Sequence, residues 1–432
     1  MDMQMEIKII SRETIKPSSP TPDHLRIHKL SIIDQLAIQC DVPILLFYST
    51  NGHDHTQRSS LLKKSLSQTL THFYPFAGRE VNSSWIDCND EGASFVQANV
   101  AADLSMLLKQ PDFKLLQQLL PCKPNDNSVQ FRLREILAVQ VNYFSCGGMV
   151  IGVCIKHLIA DASTVATFVE RWGAVARFSD TDVHGVILDR TTLFPPIGTT
   201  GGLSWGDNSS DEFLPQFVMK RLVFDGSKVA ALRERVSNKL YPDRPTRFEA
   251  VSALIWGSSI AATREMDETI DYHVAMTVVN LRKKLNPPLP QQCMGNVCQV
   301  TTAKWSMKKP TDYNELAQEI HKSIKKVDDE SVRKFHADGK WFDFVKKLGE
   351  EYGKKSKVRM LKFSSWCRFP FYEVDFGWGK PSWVTAAMEQ ENGVIFLDAS
   401  DNQGIEAWVG LPQEDMSQLE QNPDILEFAC VN

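Results

Sequence analysis

The stretch 136–161, ILAVQVNYFSCGGMVIGVCIKHLIAD, decides how this part of the chain folds. Two apolar runs flank a turn that contains Gly147 and Gly148, a pattern typical of a β-hairpin. His157 and Asp161 follow the second run, and apolar residues then recur at helical spacing. We therefore predict His157 on a short loop between a buried strand and the N-terminus of a helix, a position common for catalytic side chains.

The rest of the chain contains both strand-like and helix-like patterns of apolar residues. Beside a helix after Asp161, the predicted strands are 136–144, 149–155, 218–224, 272–281, 394–397 and 404–409, and the predicted helices are 61–71, 228–236, 248–262 and 315–326. About twenty residues, 196–215, are rich in Pro, Gly, Thr, Ser and Asp and lack periodicity, which predicts a loop that links two halves. The mixture predicts an α+β fold with two domains of similar size.

Composition excludes several classes of function. The 432 residues are 43% hydrophobic and 23% charged, as in ordinary globular proteins, and the net charge of −5 argues against a nucleic acid or an anionic membrane as the main partner. Nine cysteines lack metal-ligand spacing, since Cys293 and Cys298 have no second pair of Cys or His. We expect no metal, no membrane span and reduced thiols, and hence a cytoplasmic protein.

His157 could act as a general base. A neutral imidazole, with an ordinary pKa of about 6.5, can accept the proton of an alcohol, which could then attack a bound thioester directly. GLSWG at 202–206 matches G-x-S-x-G, but it lies in the predicted loop 196–215 and not between a strand and a helix, as a nucleophile elbow does. The chain has no zinc-spaced cluster, and direct attack on a thioester needs neither feature. The HxxxD spacing alone is weak evidence, because a structural histidine beside an Asp161 that caps the helix would give the same pattern.

A second motif lies near the C-terminus. The five residues are Asp375, Phe376, Gly377, Trp378 and Gly379, which read DFGWG. Such a string arises very rarely by chance. Its glycines suit a tight turn and its aromatic rings suit packing, so the residues themselves predict a structural element.

Together, HLIAD at 157–161 and DFGWG at 375–379 resemble the BAHD family of plant CoA-dependent acyltransferases. The likeness covers nearly the whole chain. Its further segments are PSSPTP (17–22), LSIIDQ (30–35), YPFAGR (74–79), DCNDEG (87–92), CGG (146–148), NLR (280–282), PPLP (287–290) and MGN (294–296).

The resemblance implies two chloramphenicol-acetyltransferase-like domains with mixed sheets. The first would comprise 1–195 and a segment at about 376–399 that crosses back to it. The second would comprise 216–432 and carry DFGWG, with 196–215 as the crossover loop. A channel between the domains would admit acyl-CoA from one side and the acceptor from the other.

The resemblance also implies roles for particular residues. His157 would be the base, Asp161 would pair with Arg282 and act geometrically, and DFGWG would support the site. Ser252 and Lys380 are the candidate contacts to CoA. For these two residues a helix serine without a ligand contact and an ordinary surface charge remain the alternatives.

The implied activity is transfer of an acyl group, by analogy acetyl from acetyl-CoA, to the hydroxyl of a plant specialised metabolite, with an alkaloid expected. CoA would be a co-substrate and no cofactor would be permanently bound. The family also implies a monomer. The alternatives are N-acylation of an amine and a non-catalytic binding protein.

Overall fold

The computed structural model describes residues 5–49, 54–125, 134–178, 185–197, 217–237, 244–337, 340–351 and 357–432. The helices within them are α1 (Ile32–Gln35), α2 (His55–His72), α3 (Leu104–Lys109), α4 (Phe113–Gln118), α5 (Ala162–Arg177), α6 (Gly226–Arg235), α7 (Arg247–Met266), α8 (Tyr313–Lys325), α9 (Asp329–Ala337), α10 (Lys340–Glu351), α11 (Gln413–Gln421) and α12 (Pro423–Phe428). The strands are β1 (Ile7–Ile15), β2 (Ile27–Lys29), β3 (Asp41–Tyr48), β4 (Arg79–Asn82), β5 (Trp85–Asp87), β6 (Ala93–Val100), β7 (Leu137–Phe144), β8 (Met149–Lys156), β9 (Phe217–Phe224), β10 (Tyr272–Asn280), β11 (Cys298–Ser306), β12 (Val358–Ser365), β13 (Trp383–Thr385), β14 (Gly393–Asp398), β15 (Ile405–Pro412) and β16 (Cys430–Val431). The predicted α+β class is confirmed.

The chain divides into two compact units. The first holds the described residues up to 197 together with Pro290–Val297 and Phe369–Met388. Its main sheet has the order β1-β6-β7-β8-β3-β13, in which β6 and β7 are parallel and the other neighbours are antiparallel. Every residue of β3, β7 and β8 is buried, as expected for the centre of a sheet covered on both faces.

The predicted hairpin is confirmed, because β7 and β8 pair antiparallel with Tyr143 opposite Met149. The turn needs its glycines. Gly147 has φ of 83°, in the left-handed region, and a Cβ on Gly148 would lie 2.7 Å from the side chain of Leu104. The next element is α5, whose residues Val165, Phe168 and Trp172 are fully buried.

The second unit is built on a seven-stranded mixed sheet with the order β11-β10-β12-β14-β15-β9-β16. Here β10, β12 and β14 are parallel neighbours and the remaining pairs are antiparallel. Helix α7 supplies Val251, Leu254, Ile255 and Trp256 to the core of this unit. The strands and helices predicted for this half occur within one to four residues of the predicted bounds.

Two segments group differently from the prediction. Residues 369–388, with DFGWG, belong to the first unit and not to the second domain, because β13 pairs with β3 of the first sheet. The return crossing ends before 399, since β14 pairs with β12 and β15 in the second sheet. Residues Pro290–Val297 also group with the first unit, which the sequence did not indicate. The predicted crossover loop at 196–215 lies, except for its first two residues, outside the described residues.

Within the described ranges no helix is both long enough and apolar enough to cross a lipid bilayer.

Candidate active site

His157 lies at the predicted place, on the turn between the end of β8 and the start of α5. Its backbone is held from both sides. The N–H donates to the carbonyl of Cys40 at 2.8 Å, and the carbonyl accepts from the side-chain amide of Asn296 at 2.6 Å. The imidazole is half-buried, and its Nδ1 is buried without a hydrogen-bond partner among the described residues. The main chain of His157 is thus fixed, while no described residue forms a hydrogen bond to Nδ1 of its ring.

Asp161 is the N-cap of α5, and its carboxylate is turned toward backbone groups. One oxygen accepts from the N–H of Thr164 at 2.8 Å and the other from the N–H of Val297 at 3.0 Å. The first bond satisfies one of the free amides at a helix start, and the second ties residues 290–297 to the loop. This arrangement differs from a catalytic triad, in which the carboxylate orients the imidazole ring, and it supports a geometric role for Asp161.

A buried polar network behind the loop was not predicted from the sequence. Asp34, fully buried beside its capping box with Ser31, accepts from both the backbone N–H and the side-chain amide of Asn296 at 3.0 Å each. The same amide of Asn296 donates to the His157 carbonyl. Asp34 is therefore linked to His157 through one intervening residue, Asn296.

Arg190 supplies the counter-charge of this network. Its guanidinium pairs with Asp34 and donates to the carbonyls of Met294 and Leu188. Gly295 has φ of 101°, and a Cβ there would overlap the Arg190 guanidinium, so only glycine fits. Both partners of the ion pair are buried and carry additional hydrogen bonds, as an ion pair removed from water requires.

Lys156, the residue before His157, forms a separate buried ion pair with Glu80. Its ammonium lies 3.2 Å from a carboxylate oxygen of Glu80 and is fully buried. Burial lowers the pKa of Lys156, and the charge of Glu80 opposes that shift.

The DFGWG element forms a closed turn. One Asp375 oxygen accepts from the N–H groups of Gly377 and Gly379 at 2.8 and 3.0 Å, and both glycines have φ above 100°. The other Asp375 oxygen lies 3.3 Å from Arg177 at the end of α5. These contacts require two left-handed residues, which explains the glycines.

The aromatic residues of this element pack against α5 and β3. The ring of Phe376 is fully buried, with its centroid 4.8 Å from Trp172 in edge-to-face geometry. Trp378 stacks on Phe376 at 5.5 Å and meets Tyr48 edge-on at 6.1 Å. Trp172 is eleven residues from the cap of α5, or about 17 Å along a helix. The element therefore packs at the opposite end of α5 from the histidine loop, which supports its predicted structural role.

The three remaining predicted residues are less informative. Arg282, in the second unit, is buried after β10, and its N–H donates to the Asn280 side chain; its pairing with Asp161 stays a prediction. Ser252 is fully enclosed within α7, and its hydroxyl has no partner among the described residues. Lys380 is exposed and pairs with Glu373. The exposure of Lys380 and its pair with Glu373 fit an ordinary surface charge, and contact of Ser252 with CoA stays a prediction.

Within the part of the chain that the structure describes, no group of three His, Cys, Asp or Glu side chains could hold a metal ion. In the first unit, the imidazole of His157 lies on a turn whose main chain is held by hydrogen bonds. Such a group can bind and release a proton.

Comparison with known proteins identifies the family. The model of the family described as "Transferase family" matches residues 5–426. The chain is 44% identical to limonoid 21-O-acetyltransferase of Citrus sinensis over 99% of both chains, and 39% identical to stemmadenine O-acetyltransferase of Catharanthus roseus over 96% of this chain and 97% of that one. The fold matches the crystal structure of vinorine synthase with a TM-score of 0.84 and 35% identity, covering 98% of each chain. The predicted family is confirmed: this chain belongs to the BAHD transferases, a family of acyltransferases.

Proposed function

We propose that this protein transfers an acetyl group from acetyl-CoA to a hydroxyl of a small specialised metabolite, with His157 as the general base. The observation that carries the proposal is the state of His157: the main chain is anchored at its N–H and its carbonyl, while Nδ1 makes no hydrogen bond to the described residues. A positioned but uncommitted imidazole suits proton transfer.

The relatives support the chemistry and add a class of expected acceptor. Both enzymes compared above carry O-acetyltransferase in their names, one acting on a limonoid and one on stemmadenine. The limonoid enzyme is the more similar of the two, at 44% against 39% identity. We therefore extend the expected acceptors from alkaloid alcohols to limonoid alcohols. The proposal also includes a monomer that acts in the cytoplasm.

The mechanism needs no covalent enzyme intermediate. His157 takes the hydroxyl proton as the acceptor oxygen attacks the thioester carbonyl, which gives a tetrahedral oxyanion. Collapse of that oxyanion breaks the carbon–sulfur bond, and the departing thiolate receives the proton from the imidazolium. The products are the acetyl ester and free CoA, and the histidine returns to its neutral form.

The test measures CoA thiol release from acetyl-CoA with a panel of limonoid and alkaloid alcohols and one amine. We expect His157→Ala to lower kcat by about 10²–10⁴, the usual contribution of a positioned base. His24→Ala is the matched control, because His24 is exposed and remote from this loop in sequence. If His157→Ala stayed within tenfold of the native enzyme while remaining folded, the assignment of the base would be wrong. Preferred turnover of the amine would instead support N-acylation.

A further inference from the structure

A buried arginine without a counter-ion lies in the first turn of α2. The Arg58 side chain is only 2% exposed, yet none of its three guanidinium nitrogens has a hydrogen-bond partner in the described part of the chain. The guanidinium carbon lies 5.5 Å from the centroid of the Trp378 ring. Buried charges are almost always paired, as Lys156 and Arg190 are in the same unit. Contact with an aromatic face only partly replaces the lost hydration of a cation.

Tyr143 presents a second unsatisfied donor to this region. Its hydroxyl is buried and has no hydrogen-bond partner among the described residues. Stacking on His55, with ring centroids 4.6 Å apart, fixes the orientation of its ring. Burial raises the pKa of Tyr143 to about 12, partly offset by the neighbouring Ser59 hydroxyl and by the charge of Arg58, so the Tyr143 hydroxyl keeps its proton at neutral pH. The charge of Arg58 lowers the pKa of Tyr143, so the cation and the hydroxyl lie near each other, and neither has a carboxylate partner among the described residues.

The carboxylates nearest in sequence to Arg58 and to its contact Trp378 are already engaged. Asp54 caps α2 by accepting from the N–H of Thr56, and Asp375 accepts two amides of its own turn and pairs with Arg177. No carboxylate in the described ranges forms an ion pair with Arg58. The missing acceptor must therefore come from outside these residues.

This place is remote from His157. Tyr143 lies opposite Met149, at the turn end of the hairpin, whereas His157 follows Lys156 at the other end of β8. Seven residues of extended strand separate the two ends, or about 23 Å.

We propose that Arg58 and Tyr143 form a binding site for a small oxyanion, a carboxylate or a phosphate group, at the turn end of the β7–β8 hairpin. A guanidinium presents two parallel N–H donors that match either group, and the Tyr143 hydroxyl adds a third donor. The Trp378 ring covers the guanidinium on one side. The site is separate from the acetyl-transfer chemistry, and this inference does not depend on the proposed function.

The experiment is thermal unfolding of the full chain at pH 7 in sodium phosphate, sodium acetate or sodium chloride at equal ionic strength. Binding to the folded state alone raises Tm with the logarithm of anion concentration. For a chain of this length we expect about 3 °C when the anion reaches a hundred times its Kd. Phosphate and acetate distinguish the two oxyanion classes, and chloride measures the effect of salt alone.

Variants separate this site from general salt effects. We expect Arg58→Met to lose the oxyanion-specific rise, and to be more stable than the native chain in dilute buffer because an unpaired buried charge is removed. Tyr143→Phe should keep its stacking on His55 and weaken the response. Arg26→Met, which removes an exposed arginine that pairs with Asp87, should respond like the native chain.

Three results would overturn the proposal. The first is a native protein whose Tm in phosphate and acetate equals that in chloride. The second is an equal oxyanion response in Arg58→Met and the native chain. The third, decisive if Arg58→Met fails to fold, is a Tyr143→Phe variant with the full native response.

Discussion

In both the histidine loop and the DFGWG turn an aspartate accepts hydrogen bonds from backbone amides, but only the histidine loop carries a candidate base. The two oxygens of Asp161 each accept from one backbone amide. One oxygen of Asp375 accepts from two backbone amides, and the other pairs with Arg177. The loop around Asp161 leaves one side chain, His157, with an uncommitted ring nitrogen. The DFGWG turn commits its aromatic rings to packing.

The difference teaches that a carboxylate near a candidate base need not take part in chemistry. Helix α5 connects the two regions, since Asp161 caps its start and Arg177 ends it. Both aspartates support this one helix, but only the first is next to the reactive group. Parallel substitutions at the two aspartates therefore separate an effect on turnover from an effect on stability.

Asp161→Ala should have the largest effect of these substitutions. It leaves the buried N–H groups of Thr164 and Val297 without acceptors and releases the loop that carries His157. A displacement of about 1 Å at a catalytic group can cost roughly 10² in rate, so we expect kcat to fall by about that factor. Steady-state thiol release measures it, with Asp225→Ala as the control because exposed Asp225 makes no side-chain cap bond. A normal kcat would show that Asp161 does not position the loop.

Asp375→Ala should affect stability instead. The amides of Gly377 and Gly379 lose their acceptor and Arg177 loses its partner, which we expect to cost about 1–3 kcal/mol of unfolding free energy. Because the turn packs at the far end of α5, kcat per folded molecule should change by less than about threefold, as no catalytic contact is removed. Denaturant unfolding tests the predicted loss of stability, and thiol release on the same samples tests the predicted kcat. A hundredfold loss of kcat with unchanged stability would erase the distinction between the two regions.

Local patterns in the sequence predicted much of the fold. The hairpin and α5 were predictable because their apolar periodicity is uninterrupted, and the glycines between them mark the turn. The loop position of His157 follows from those two elements. DFGWG was recognisable as a string, but its location in the first unit depends on the pairing of β13 with β3, which no local pattern encodes.

Features that depend on distant contacts were not predictable. Asn296 and Asp34 are 262 residues apart in the chain, and a single sequence carries no signal that joins them. Arg58 lies in a polar stretch at the start of α2, HTQRSS, where an arginine is expected in solvent, yet its side chain is buried. In both cases tertiary packing decides which polar groups are removed from water.

Asn296→Ala should lower turnover less than Asp161→Ala does and refine the comparison most. The substitution removes the amide that donates to the His157 carbonyl and to Asp34, but leaves the backbone bond to Asp34 and all of the Asp161 bonds in place. We expect kcat to fall by about tenfold, the equivalent of one hydrogen bond of about 1.4 kcal/mol, with an unchanged KM for acetyl-CoA. The exposed Asn99→Ala on β6 is the matched control. A rise in KM at constant kcat would instead show that Asn296 contributes to substrate binding. The expected result would show that hydrogen bonds to the main chain of the loop position His157 for turnover.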